Sequence, residues 1–130
     1  MTAVCALALG AALSSTGPAW AAEWKNTYWR DATDGDAGGV SGSAARYWSG
    51  NDSIRAYIGF LAKGEHFTVY NDTSVRATYW ATANGWPVLG GDIDPGDYGT
   101  ANLDIDEGET ISIKICVKDR GCATLDTLKA

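Results

Sequence analysis

Apolar and polar residues alternate strictly over residues 111–117, Ile-Ser-Ile-Lys-Ile-Cys-Val. A period of two places successive side chains on opposite faces. This segment therefore predicts a half-buried strand with Ile111, Ile113, Ile115 and Val117 on one side. Residues 118–121, Lys-Asp-Arg-Gly, predict a turn, and residues 122–128 a return strand. Further strands are predicted over residues 54–61, 66–70, 75–82, 86–89 and 100–105. Clusters of Gly, Asn, Asp and Pro separate them, including Lys63-Gly64-Glu65, Asn71-Asp72, Asn84-Gly85 and Asp94-Pro95-Gly96. Twelve Asp against four Glu favour turns over helix interiors. No stretch after Ala22 keeps a helical apolar period for three turns. The predicted fold is all-β: a single antiparallel β-sandwich of Greek-key or immunoglobulin-like type, closed by a disulfide-stapled C-terminal hairpin.

The alternation also sorts side chains. With Ile54, Ala56, Ile58 and Phe60 facing the core, Arg55 and Tyr57 face outward. With Val75, Ala77 and Tyr79 inward, Arg76, Thr78 and Trp80 face outward. The two strands are expected to present arginine and aromatic groups on one sheet surface, a setting for cation–π contacts and interface anchors. Asn51-Asp52-Ser53 and Asn71-Asp72-Thr73 form an internal echo. Each reads as an Asx-type turn feeding a strand with an outward arginine.

The N-terminus has a different character. Residues 3–13 are apolar but too few to span a bilayer, which takes about 20 residues. Ala19-Trp20-Ala21 then fits a signal-peptidase site. The expected organisation is a signal peptide over residues 1–21, an aromatic arm and flexible loop over residues 22–43, and a β-core over residues 44–130. Within the arm, Trp24, Tyr28 and Trp29 lie inside six residues. It is read either as a first strand folded back on its own sheet or as a free segment captured by a partner. Cleavage leaves two cysteines, Cys116 and Cys122, and an even count in an exported chain reads as one disulfide. So short a loop contributes only about 2 kcal/mol through the unfolded state, which makes the bond a structural staple.

Charge narrows the function. Sixteen acidic against ten basic residues give -6. That balance excludes the basic face of a nucleic-acid binder and adsorption to an anionic membrane. Catalysis finds little footing. There is no G-x-S-x-G elbow, and the lone His66 opens a strand with its ring outward beside Thr68. Paired carboxylates for glycoside hydrolysis occur only as chance neighbours in a chain with short loops. Asp34-Gly35-Asp36, Asp92-Ile93-Asp94 and Asp104-Ile105-Asp106 gather oxygen ligands, yet Gly38 stands at the third acidic place of a calcium loop. No enzyme activity, cofactor or metal is expected.

Residues 64–72 (GEHFTVYND), 75–80 (VRATYW) and 108–116 (GETISIKIC) with Gly121-Cys122 resemble small exported β-sandwich proteins of streptomycete-type actinobacteria. Such proteins have one C-terminal disulfide. Some proteins of similar size and architecture are adaptor subunits of secreted umbrella-shaped toxin particles, linking a lectin subunit to a scaffold. The resemblance implies an extracellular binding module. The expected function is a secreted, non-catalytic protein-binding module that acts as an adaptor in an extracellular complex. Its candidate contact residues are Trp24, Tyr28, Trp29, Arg55, Tyr57, Arg76 and Trp80. A lectin-like glycan binder and a small inhibitor of a secreted hydrolase, presenting residues 118–121, are the alternatives.

Overall fold

A computed structural model describes residues 21–32 and 37–130. The predicted signal segment lies almost wholly outside them, as do Asp34, Gly35 and Asp36. The strands are β1 (Trp24–Asp31), β2 (Ser41–Trp48), β3 (Asn51–Leu61), β4 (His66–Asn71), β5 (Ala77–Ala83), β6 (Trp86–Ile93), β7 (Tyr98–Asn102), β8 (Thr110–Val117) and β9 (Gly121–Lys129). They form two antiparallel sheets, ordered β1-β2-β3-β4-β7 and β6-β5-β8-β9. No helix among the described residues is long and apolar enough to cross a membrane.

The turns follow the residues that punctuate the sequence. Asn84 and Gly85 both have positive φ, 48° and 84°, as a two-residue hairpin with the right-handed strand twist requires. The chain changes sheet after Asn71, and this buried side chain locks the crossing. Its Nδ2 donates to the Val75 carbonyl at 2.8 Å and the Ile93 carbonyl at 2.9 Å. Its Oδ1 accepts from the Thr73 backbone N–H at 3.0 Å. Asn51 accepts from the Ser53 N–H at 3.1 Å, so both halves of the echo are Asx turns.

The core takes residues from both sheets. Ala56, Ile58, Phe60, Phe67 and Val69 come from the five-stranded sheet. Ala77, Ala81, Ile111, Ile113, Ile115, Val117 and Leu128 come from the other. Phe60 and Phe67 are directly paired across β3 and β4, with ring centroids 4.9 Å apart. The strict alternation of β8 is reproduced residue by residue: its even positions look out and its odd positions are buried. On β9 two residues, Asp126 and Thr127, oppose the single Ser112, and Thr127 has φ 64°. That bulge is why Leu125 and Leu128, three apart, both point inward. Cys116 and Cys122 are direct cross-strand partners joined by a disulfide, as expected from the hairpin.

Two expectations need revision. The arm of residues 22–43 does not stand apart from the β-core. Trp24–Asp31 pairs without a register break along β2, which itself begins at Ser41. The folded-back alternative is the observed one. β2 was hidden in the sequence because Ser-Gly-Ser-Ala-Ala has low β-propensity. Its small residues serve close approach: a Cβ on Gly42 would lie 2.7 Å from both the Trp29 carbonyl oxygen and a Leu128 methyl. The second revision concerns the outward faces of β3 and β5.

Candidate functional site

The five-stranded sheet turns its outer face to solvent, and the register sets what lies there. Thr27, Ala45, Tyr57, Tyr70 and Tyr98 form one row across β1, β2, β3, β4 and β7. Tyr57 and Tyr70 stack with centroids 4.8 Å apart and planes 10° from parallel. Tyr98 is 73% exposed at the end of the row. One row along, Tyr47 opposes Arg55, whose guanidinium carbon lies 5.7 Å from the centre of that ring. Arg55 Nε also donates to the Asp52 carbonyl at 2.7 Å, which fixes the side chain along the surface. Burial pushes the Tyr70 hydroxyl above its usual ionisation range, and the charge of Arg55, with a side-chain hydrogen bond, opposes that shift.

On the other side of the tyrosine row the surface dips. Trp29, Tyr57, Gly59, Leu61, His66 and Thr68 line a hollow of about 140 Å³. Gly59 makes the floor, and the Tyr57 phenol lies over it, where any Cβ would collide with the hydroxyl. His66 and Asn102 are cross-strand partners whose Nδ1 and Oδ1 atoms are in contact. The ring points outward beside Thr68, as the strand pattern predicts, and its partner is an amide.

The seven candidate residues do not form one patch. Trp29, Arg55 and Tyr57 share the outer face just described. Arg76 and Trp80 point outward, but from the opposite sheet, so the expected single surface is not formed. The reason is topological: after Asn71 the chain crosses, and β5 pairs with β6 and β8, not with β3. There, Arg76 meets Asp94 at 3.2 Å and Asp92 at 3.8 Å, and Lys114 Nζ covers the Trp80 ring at 4.7 Å. Both groups are engaged within the chain. Trp24 tilts against Trp48, centroids 5.7 Å apart, and the pair walls an end groove of about 440 Å³ with Ile54, Val75 and Arg120. Tyr28, 48% exposed, stands on the inner side of edge strand β1.

Sequence reasoning missed Tyr47, Tyr70 and Tyr98. Tyr70 was legible, since Phe67 and Val69 inward force residue 70 outward. Tyr98 was not, because it follows the Asp94-Pro95-Gly96 turn so closely that the pattern starts the strand at residue 100, whereas β7 begins at Tyr98. No group of three or more His, Cys, Asp or Glu among the described residues is arranged to hold a metal ion. No protein family, curated protein or solved structure matches the chain.

Proposed function

We propose that the chain is an exported, non-catalytic protein-binding module, an adaptor in an extracellular complex, whose contact surface is the outer face of the five-stranded sheet. In this reading the two sheets are the halves of a Greek-key β-sandwich that serves as a rigid scaffold. The observation that carries it is the contiguous surface of Tyr47, Arg55, Tyr57, Tyr70, Tyr98 and Trp29. Trp, Tyr and Arg supply most of the energy in protein interfaces, at low entropic cost when they are already held in place. Here stacking holds Tyr57 and Tyr70, and the Arg55 contacts hold Arg55 over Tyr47, before a partner arrives. Five strands spaced about 4.8 Å apart carry these groups on one face of the sheet.

A glycan-binding reading is second, on one observation: the hollow over Gly59 sets Trp29 and Tyr57 beside polar His66 and Thr68. That combination suits the apolar face and hydroxyls of a sugar ring. Affinity capture from the organism's own culture medium tests the first reading. Wild type and Trp80→Ala should retain the same stoichiometric protein, and Tyr57→Ser with Tyr98→Ser should lose it. Equal retention by all three variants, or no retained protein, would overturn it. A glycan array answered by wild type and lost with Tyr57→Ser would transfer the face to sugars.

A further inference from the structure

Among the strands that end a sheet, three are protected, and one is left open by the described residues. β7 has only five residues. β6 contains Pro87, which has no N–H to offer, and its pairing with β5 carries a bulge. The edge of β9 is occupied. Val40 and Lys129 exchange backbone hydrogen bonds, Arg30 donates to the carbonyls of Asp126 and Thr127, and Arg46 donates to the carbonyl of Arg120 in the turn just before the strand. Among the described residues, β1 has none of these devices. It runs eight residues in unbroken register, without proline or bulge.

The backbone phase of that edge follows from one bond. The Ser49 N–H donates to the Glu23 carbonyl at 2.8 Å, in line with the β1–β2 register. Hydrogen-bonded and non-hydrogen-bonded pairs alternate in an antiparallel ladder. Lys25, Thr27, Trp29 and Asp31 therefore direct their backbone groups to β2. Trp24, Asn26, Tyr28 and Arg30 direct theirs to the open side. An added antiparallel strand must pair these even positions with outward-directed residues of its own.

We infer that β1 is a self-association edge, on which a second copy of this chain adds its own β1 antiparallel, centred on Tyr28. In that register Tyr28 faces Tyr28 of the other copy, and Asn26 faces Arg30. All are even positions, so the hydrogen-bonding phase matches. The same register sets Lys25 of one copy opposite Asp31 of the other, twice across the two-fold axis, and Thr27 opposite Trp29. The register centred on Thr27 also matches in phase but sets Lys25 against Trp29 and makes no opposite-charge pair. Registers pairing even with odd positions are excluded by the phase. The two five-stranded sheets then become one, with their outer faces continuous, a contact that stands independently of what binds those faces.

Analytical ultracentrifugation of the full chain, in a Cys5→Ser background, should show a dimer in equilibrium with monomer. Tyr28→Pro should raise the dimer dissociation constant at least about tenfold. It should leave the monomer's circular dichroism intact, because its missing N–H faces the open edge and not β2. Tyr28→Val, which keeps the N–H, should still dimerise. Tyr28→Cys should form an intermolecular disulfide, since a hydrogen-bonded pair holds Cα atoms about 5.5 Å apart, inside the disulfide range. Asn26→Cys should not, as the two copies of residue 26 lie roughly 13 Å apart along the ladder. A chain that stays monomeric up to its solubility limit overturns the inference. So does a dimer indifferent to Tyr28→Pro, or crosslinking at residue 26 instead of 28.

Discussion

Replacing Asn71 by alanine removes the side chain that holds the sheet crossing together. Asn71 is fully buried. Its amide donates to one carbonyl on the way into β5 and to another at the end of β6, and its oxygen accepts from the Thr73 backbone N–H and hydroxyl. Four contacts, each worth a net 0.5–1.5 kcal/mol, set the loss at roughly 2–6 kcal/mol, because the abandoned carbonyls and N–H stay buried. A domain of this size has about 5–15 kcal/mol in total. Each kcal/mol moves the melting temperature by roughly 4–8 °C, so the midpoint should fall by at least about 8 °C. Urea unfolding should give the same loss with an unchanged slope, since the surface exposed on unfolding is the same.

Asn71→Asp sharpens the test. It preserves volume and one accepting oxygen but turns the other toward two carbonyl oxygens. The buried carboxylate is disfavoured, so its folded pKa rises above the ordinary carboxylate value near 4. A raised folded pKa contributes stability below the unfolded value and loses it as pH rises through the folded one. The variant should thus be relatively most stable in acid and weakest at neutral pH, relative to wild type at each pH. An Asn71→Ala cost below about 1 kcal/mol, or an Asn71→Asp protein that melts like wild type at neutral pH, would refute this account of the crossing.

Four further outcomes follow from the same geometry. Cys116→Ser with Cys122→Ser should lower stability by about 2 kcal/mol, because the bond closes a short loop, and should leave partner capture intact. Gly59→Ala should displace the Tyr57 phenol from over the hollow and weaken outer-face binding more than it lowers the melting temperature, read by capture and calorimetry together. Tyr70 should ionise above the ordinary tyrosine value of 10.0 in an ultraviolet absorbance titration, and Arg55→Met should move it higher still. Because the folded pKa is raised, its stabilising share is complete below that ordinary value and is lost only as pH climbs through the raised one.

How far the sequence speaks depends on whether information is local. The alternation of residues 111–117 names its own buried face, and Asn84-Gly85 names its own turn, because period and φ are properties of neighbours along the chain. The outward side of Arg55, Tyr57, Arg76 and Trp80 was legible for the same reason. Which sheet each side belongs to was not. That choice is made at Asn71, where bonds to Val75 and Ile93 carry the chain across, and nothing in the periodicity of residues 75–82 records it. β2 shows the converse. Its Gly42, Ala44 and Ala45 look like a loop because each is small, yet they are small because β1, β3 and Leu128 press close. The proposed contact surface, built by pairing distant strands, is therefore assembled from legible parts in an illegible order. Tyr57, Tyr70 and Tyr98 each declare a face, and only the register makes them a row. The proposed binding depends on that row, so Tyr57→Ser with Tyr98→Ser, which removes two of its rings and leaves the register intact, should abolish capture without lowering the melting temperature by more than a few degrees.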